Sequence, residues 1–143
     1  MDHAMILAKK AADLGEVPVG ALIISPTGEL LAEAHNEVIS GLDPAGHAEI
    51  LALRRAAKKF GSERLTGCDL YVTLEPCTMC AAAISFARIR RLYFAAFDVK
   101  TGAVENGVRF FNADTCHHNP EVYGGIGEAA AAGLLKSFFA ARR

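Results

Sequence analysis

Long apolar runs are missing from this sequence. Its longest uncharged stretches, such as the one around Cys77–Ala87, cover about a dozen residues, whereas a bilayer span takes roughly 20. A secretory leader is not evident either, because MDHAMILAKK carries an acid at position 2 and no small-residue cleavage site. Neither sign of charge dominates: 15 Lys and Arg oppose 16 Asp and Glu, a net charge of −1. A strongly basic nucleic-acid footprint is therefore lacking in the total, although a neutral sum leaves room for a local basic patch. Cysteine is scarce, at Cys68, Cys77, Cys80 and Cys116. In a reducing compartment the close C-x2-C pair points to metal or redox chemistry before a disulfide, and Cys68 and Cys116 read as buried apolar thiols.

What remains is an ordinary globular composition. Hydrophobic residues make up 52% of the 143 positions and charged ones 22%, which excludes disordered, collagenous and fibrous classes. Alanine supplies 26 of the apolar residues, so the supply of large core side chains is average. The length suits one domain, 1–143, and a soluble cytoplasmic protein is expected.

Periodicity predicts the elements. Asp2–Leu14 reads as a helix with Met5, Ala8 and Ala12 inward and Lys9 and Lys10 opposite, closed by Gly15. Val19–Ile24 and Leu30–His35 flank Pro26-Thr27-Gly28 as a hairpin. Asn36–Gly46 is a loop, and His47–Phe60 a helix with Ile50, Leu51, Leu53 and Ala57 inward. Leu70–Leu74 and Leu92–Phe97 are strands on either side of a helix, Cys77–Ala87. Gly102–Tyr123 is mostly loop, with room for a short helix or strand, and Glu128–Ala141 is a closing helix. Strand–helix–strand implies a right-handed crossover and a parallel pair, whereas the hairpin is antiparallel. A mixed sheet with helices on both faces follows.

Two motifs carry chemistry. His47-Ala48-Glu49 opens one helix and Pro76-Cys77-Thr78-Met79-Cys80 the next. Imidazole nitrogen and thiolate sulfur are preferred zinc ligands, and three of them leave a fourth position for water. Cys77 and Cys80 stand three apart on one helical face and can share a metal. Both motifs lie where the positive end of a helix favours thiolates. Two thiolates cancel the charge of Zn2+, so the bound water acidifies toward neutrality and supplies hydroxide. Glu49, in the same first turn as His47, is placed to move the proton. Taken alone, C-x2-C also fits a redox pair, or a structural zinc site completed by Cys68, Cys116, His117 or His118.

H-x-E…P-C-x-x-C is the zinc deaminase signature, and the chain resembles the cytidine deaminase superfamily. Within it, the similarity is to bacterial tRNA-specific adenosine deaminases, which convert the wobble adenosine (position 34) of an arginine tRNA anticodon to inosine. The matching segments are Glu16–Ala21, Asn36, Asp43-Pro44, His47–Ile50, Leu70–Cys80, Asp98–Gly102, Phe138-Phe139 and Arg142-Arg143. The resemblance implies a three-layer α/β/α cytidine deaminase-like fold with a mixed five-stranded sheet. It implies one Zn2+ per subunit on His47, Cys77 and Cys80, with Glu49 as proton shuttle. Asn36 would hydrogen-bond the target nucleoside and Val17 would wall the base pocket. Main-chain N–H groups near Ala48 and Cys77 would face the base and the activated water. Asp98, Lys100, Phe139 and Arg142 would contact the anticodon stem-loop. A homodimer is implied, with the helix after Pro76 and its Ala81, Ala82, Ala83, Ile84 face near the interface. Arg88, Arg90, Arg91, Lys100, Lys136, Arg142 and Arg143 are the candidates for a basic patch around the pocket. The alternative reading is a zinc deaminase of a free base or nucleotide, such as guanine or cytosine.

Overall fold

Ten short elements appear in the computed structural model, which describes all residues, Met1–Arg143. They are α1 (Asp2–Asp13), β1 (Gly20–Ile24), β2 (Leu30–His35), α2 (Ala48–Phe60), β3 (Asp69–Leu74), α3 (Thr78–Phe86), β4 (Arg91–Ala96), a 3-10 turn (Phe110–Asn112), β5 (Glu121–Gly124) and α4 (Glu128–Ala140). The expected boundaries hold to within a residue or two. His47 and Cys77 are not helical but stand at the N-caps of α2 and α3. The segment left mostly as loop contains both the 3-10 turn and β5.

One five-stranded sheet runs in the order β2-β1-β3-β4-β5. β1 is antiparallel to both β2 and β3, whereas β3, β4 and β5 are parallel. Helices α2 and α3 cover one face, and α1 and α4 cover the other. This is the expected three-layer arrangement, and the β3–α3–β4 crossover supplies its parallel pair. No helix is long and apolar enough to cross a membrane.

The larger core lies under α2 and α3, where Ile23, Val72, Ile84, Leu92 and Phe94 are fully buried. Burying such a side chain contributes roughly 1.5–3 kcal/mol. The inward stripes differ from those expected. In α2 the fully buried residues are Ala48, Ala52 and Ala56, with Ile50 and Leu53 nearly so, while Leu51 and Ala57 are half-buried. Small side chains take the fully buried positions, and the larger Leu51 packs against the margin of the core. In α1 the buried residues are Ala4, Leu7, Ala8 and Ala11 in place of Met5 and Ala12. That helix is apolar around much of its circumference, and Gly20 decides which side faces in. A Cβ at Gly20 would sit 2.1 Å from the Ala4 carbonyl oxygen.

Strand β2 forms an edge of the sheet, and α2 reaches over it. Arg55 Nη1 donates to the Glu33 carbonyl at 3.0 Å, and Lys59 Nζ donates to the Leu30 carbonyl at 3.2 Å. At the top of the sheet, the C-terminal ends of β3 and β4 meet the N-terminal ends of α2 and α3. This is where open α/β sheets place their ligands.

Candidate active site

His47 and Cys77, at the N-caps of adjacent helices, and Cys80, one turn into α3, converge as the sequence spacing predicts. Their ligand atoms all lie within 4.8 Å of one another. His47 Nδ1 is 3.6 Å from Cys77 Sγ and 3.5 Å from Cys80 Sγ. A tetrahedral zinc with ordinary Zn–S and Zn–N bonds sets sulfur and nitrogen about 3.6 Å apart, so the donor set fits that ion in type and spacing. No other Cys, His, Asp or Glu joins the group, which leaves three protein ligands and removes the four-ligand structural site from consideration. Cys68 is buried as expected. Cys116 is not: it is half-exposed, with its sulfur donating to the His118 carbonyl at 3.2 Å. His118 Nε2 in turn pairs with the Ile89 carbonyl at 2.7 Å.

The electrostatics of the cluster favour a thiolate at Cys77 and a neutral thiol at Cys80. The Cys80 thiol donates to Cys77 and, against the opposing effect of burial and with help from His47, holds Cys77 down to about 4. Cys80 is correspondingly pushed far up, by its hydrogen bond to Cys77 and by burial. The Cys77 sulfur beside His47 raises the imidazole. Burial lifts Glu49 to about 7, a value suited to a group that takes and returns a proton near neutrality.

His47, Glu49 and Cys77 line a cleft of about 1010 Å3 together with Asn36, Val17, Asp98, Lys100, Phe139 and Arg142. Asn36 Oδ1 accepts the Ala48 N–H at 2.8 Å. That bond fixes the amide so that Nδ2 is turned toward the cleft. It also changes the expectation for Ala48, which is fully buried and has its N–H engaged by Asn36 instead of facing a base. Asp98 likewise acts first on its own loop. Its carboxylate accepts from the N–H groups of Lys100 and Thr101 at 3.0 and 3.1 Å and from the Thr101 hydroxyl at 2.6 Å. Phe138 is buried and Phe139 half-exposed, so the two rings do point different ways. The Arg142 guanidinium lies 3.5 Å over the Phe138 ring.

The seven-residue basic patch divides. Lys100, Lys136, Arg142 and Arg143 stand around the cleft. Arg90 and Arg91 sit at the opposite end of β4, paired with Asp69 and Glu121, and Arg88 does not line the cleft. Two charged lining residues received no role from the sequence. Glu16 and Glu75 are only 2% exposed, and both carboxyls lie below the ordinary range: burial raises each, but accepted hydrogen bonds lower it further. Their partners are mostly backbone N–H groups, which leave no residue-type signal to read.

Residues 1–96 match the family described as the cytidine and deoxycytidylate deaminase zinc-binding region. The chain belongs to this deaminase family. It is a hydrolytic deaminase, and the His47, Cys77 and Cys80 group points to zinc. It is 52% identical over 143 residues to the tRNA-specific adenosine deaminase of Agrobacterium fabrum, spanning all of this chain and 93% of that protein. A solved structure from work on A-to-I editing by tRNA:A34 deaminases at the wobble position is 53% identical, with a TM-score of 0.92 over 94% of this chain and 97% of that one. The deaminase also resembles the guanine deaminase of Nitrosomonas europaea, at 26% identity and a TM-score of 0.79 over 97% of this chain and 82% of that one.

Proposed function

We propose that this deaminase converts the wobble adenosine, position 34, of an arginine tRNA anticodon to inosine, consuming water and releasing ammonia. Supporting the tRNA reading is one cleft whose floor holds Glu49 beside the His–Cys–Cys group. Its rim carries Lys100, Lys136, Phe139 and Arg142. Its volume lies at the top of the roughly 300–1,000 Å3 range of small-molecule sites. Splayed anticodon bases are held by stacking and by cations along the backbone, and the rim offers both.

Zinc held by His47, Cys77 and Cys80, one per subunit, would supply a Lewis acid and an acidified water at its fourth position. The protein's own part begins with Asn36, whose Nδ2 donates to the purine ring while Val17 packs against its face. Glu49 takes a proton on its carboxylate and returns it to the departing amine, and burial keeps both protonation states of Glu49 within reach. Beside them, the Cys77 N–H is not used by any hydrogen bond of the fold. Phe139, Lys100 and Arg142 hold the flanking nucleotides. The working unit is a homodimer formed through the outer side of α3, where Met79 and Phe86 are exposed, at 37% and 73%. Ala81 and Ile84, by contrast, are spent on the core. Free thiol ligands and a tRNA substrate suit the cytoplasm.

The test is incubation of the zinc-loaded enzyme with an arginine tRNA bearing anticodon ACG. Inosine at position 34, with no ammonia from free guanine, cytosine or adenosine, is expected. Ammonia from a free base without inosine would overturn the tRNA assignment and move the enzyme to base deamination, which its similarity to a guanine deaminase makes the second reading.

A further inference from the structure

Two loops frame the mouth of the cleft. One, residues 36–46, contributes Val38 and Ile39, and the other, residues 97–106, contributes Phe97 through Thr101. Neither belongs to a helix or strand, yet both have their backbone N–H groups gathered onto a buried carboxylate. Glu16 Oε1 accepts from Ile39 at 2.9 Å and Ser40 at 2.8 Å, and its Oε2 accepts from Val38 at 3.1 Å. Glu75 Oε1 accepts from Val104, Glu105 and Asn106 at 3.2, 2.8 and 2.9 Å. Its Oε2 accepts from the Asp98 N–H and from Asn106 Nδ2, both at 2.8 Å. We propose that Glu16 and Glu75 are positioning residues for the substrate. They take no part in proton transfer but hold the two rim loops at the separation a bound nucleic acid requires.

The arrangement around Glu75 is built closely. The Ala103 N–H donates to the Pro76 carbonyl at 2.9 Å, and Gly102 forms a bridge to Cys77. A Cβ at Gly102 would lie 2.6 Å from Glu75 Cδ and 2.3 Å from the Asp98 carbonyl oxygen, so only glycine lets the loop settle on the carboxylate. The loop carrying Lys100 is thereby tied to the segment that delivers Cys77. An ionised carboxylate is also the one side-chain group of this size that accepts on both oxygens and donates on neither. In Glu75→Gln, either amide orientation turns an NH2 group toward N–H donors. Asn106 can rotate its own amide to meet that group, but a backbone N–H cannot.

The inference rests on the cleft being the substrate site, and the experiment separates the two. Zinc-loaded Glu75→Gln is compared with wild type for amide hydrogen exchange at Asp98, Val104, Glu105 and Asn106. KM and kcat are then measured on the ACG anticodon stem-loop. Exchange at those amides should accelerate, and KM should rise roughly 10- to 100-fold, the worth of hydrogen bonds to a charged group. The value of kcat should stay within about twofold and the zinc content should not change. Asn106→Ala removes one donor of five and keeps the carboxylate. It should raise KM in the same direction by a smaller factor, and it carries the test if Glu75→Gln does not fold. Unchanged exchange, or a fall in kcat at constant KM, overturns the proposal. If wild type acts only on a free base, the tRNA assignment fails by itself. KM and kcat are then read on that base, and an unchanged KM there overturns the positioning role.

Discussion

Replacing Asn36 in two ways separates its structural bond from its part in substrate binding. Its Oδ1 takes the N–H of Ala48, a residue with no exposed surface, at 2.8 Å. Asn36→Ala strands that donor, and an unsatisfied buried N–H costs about 1–3 kcal/mol. At about 3 °C per kcal/mol for a domain of this size, Tm should fall by roughly 3–9 °C. Asn36→Asp keeps an acceptor for Ala48 and should lie much closer to wild type in stability. It loses the Nδ2 donor, however, and kcat/KM should drop roughly 10- to 100-fold, the value of one buried hydrogen bond left unmade. Thermal denaturation of the zinc-loaded proteins and steady-state inosine formation measure the two effects separately. Wild-type stability in Asn36→Ala would show that the Ala48 bond carries nothing. Wild-type turnover in Asn36→Asp would remove Nδ2 from substrate recognition.

Other expectations concern charge and protons. Glu49→Gln should retain zinc and lose turnover by about 10²- to 10⁴-fold, the range for a general acid–base group; metal analysis beside the activity assay checks this, and surviving activity would refute the assigned role. If Lys136 meets a phosphate, Lys136→Ala should flatten the fall of log kcat/KM with log salt by about 0.7, one single-strand phosphate contact. A slope equal to wild type would leave Lys136 as a solvated charge. Because the Glu16 and Glu75 carboxyls are lowered in the fold, their stabilisation is complete above the ordinary Glu range, near pH 4.3, and disappears as pH falls through the lower folded values. Denaturant midpoints for Glu16→Gln should therefore converge on wild type as the pH drops below about 4, and a constant gap down to pH 2 would contradict that sign.

The grouping of His47, Cys77 and Cys80 was legible because its chemistry is written in residue type and spacing: only His, Cys and a few others suit zinc, and helix geometry brings positions 77 and 80 together. The parallel pair β3/β4 and the hairpin β1/β2 were legible from chain order. The inward stripe of α1 was not, because apolar residues surround much of that helix and Gly20 of β1 selects the side that packs. The bonds that Ala48 and Asp98 make within the fold were not legible, since their partners are a distant side chain in one case and mostly neighbouring backbone in the other. Glu16 and Glu75 escaped notice for the same reason. A carboxylate that binds amides of a distant loop has partners without identity, so no motif records the pairing. The division of the basic patch also needed the sheet, because Arg91 and Lys100 stand at opposite ends of one strand's path.

The open edge of β2 has a bearing on how copies of this protein meet. Arg55 and Lys59 occupy the Glu33 and Leu30 carbonyls that an added strand would need, so sheet-to-sheet growth along that side is blocked by two charged side chains. Along this edge, contacts between copies are thereby steered away from strand pairing, with its risk of open-ended fibres, and toward helix surfaces, where association can close. Neutralising both cations would leave an unguarded template, and loss of colloidal stability would precede any loss of catalysis.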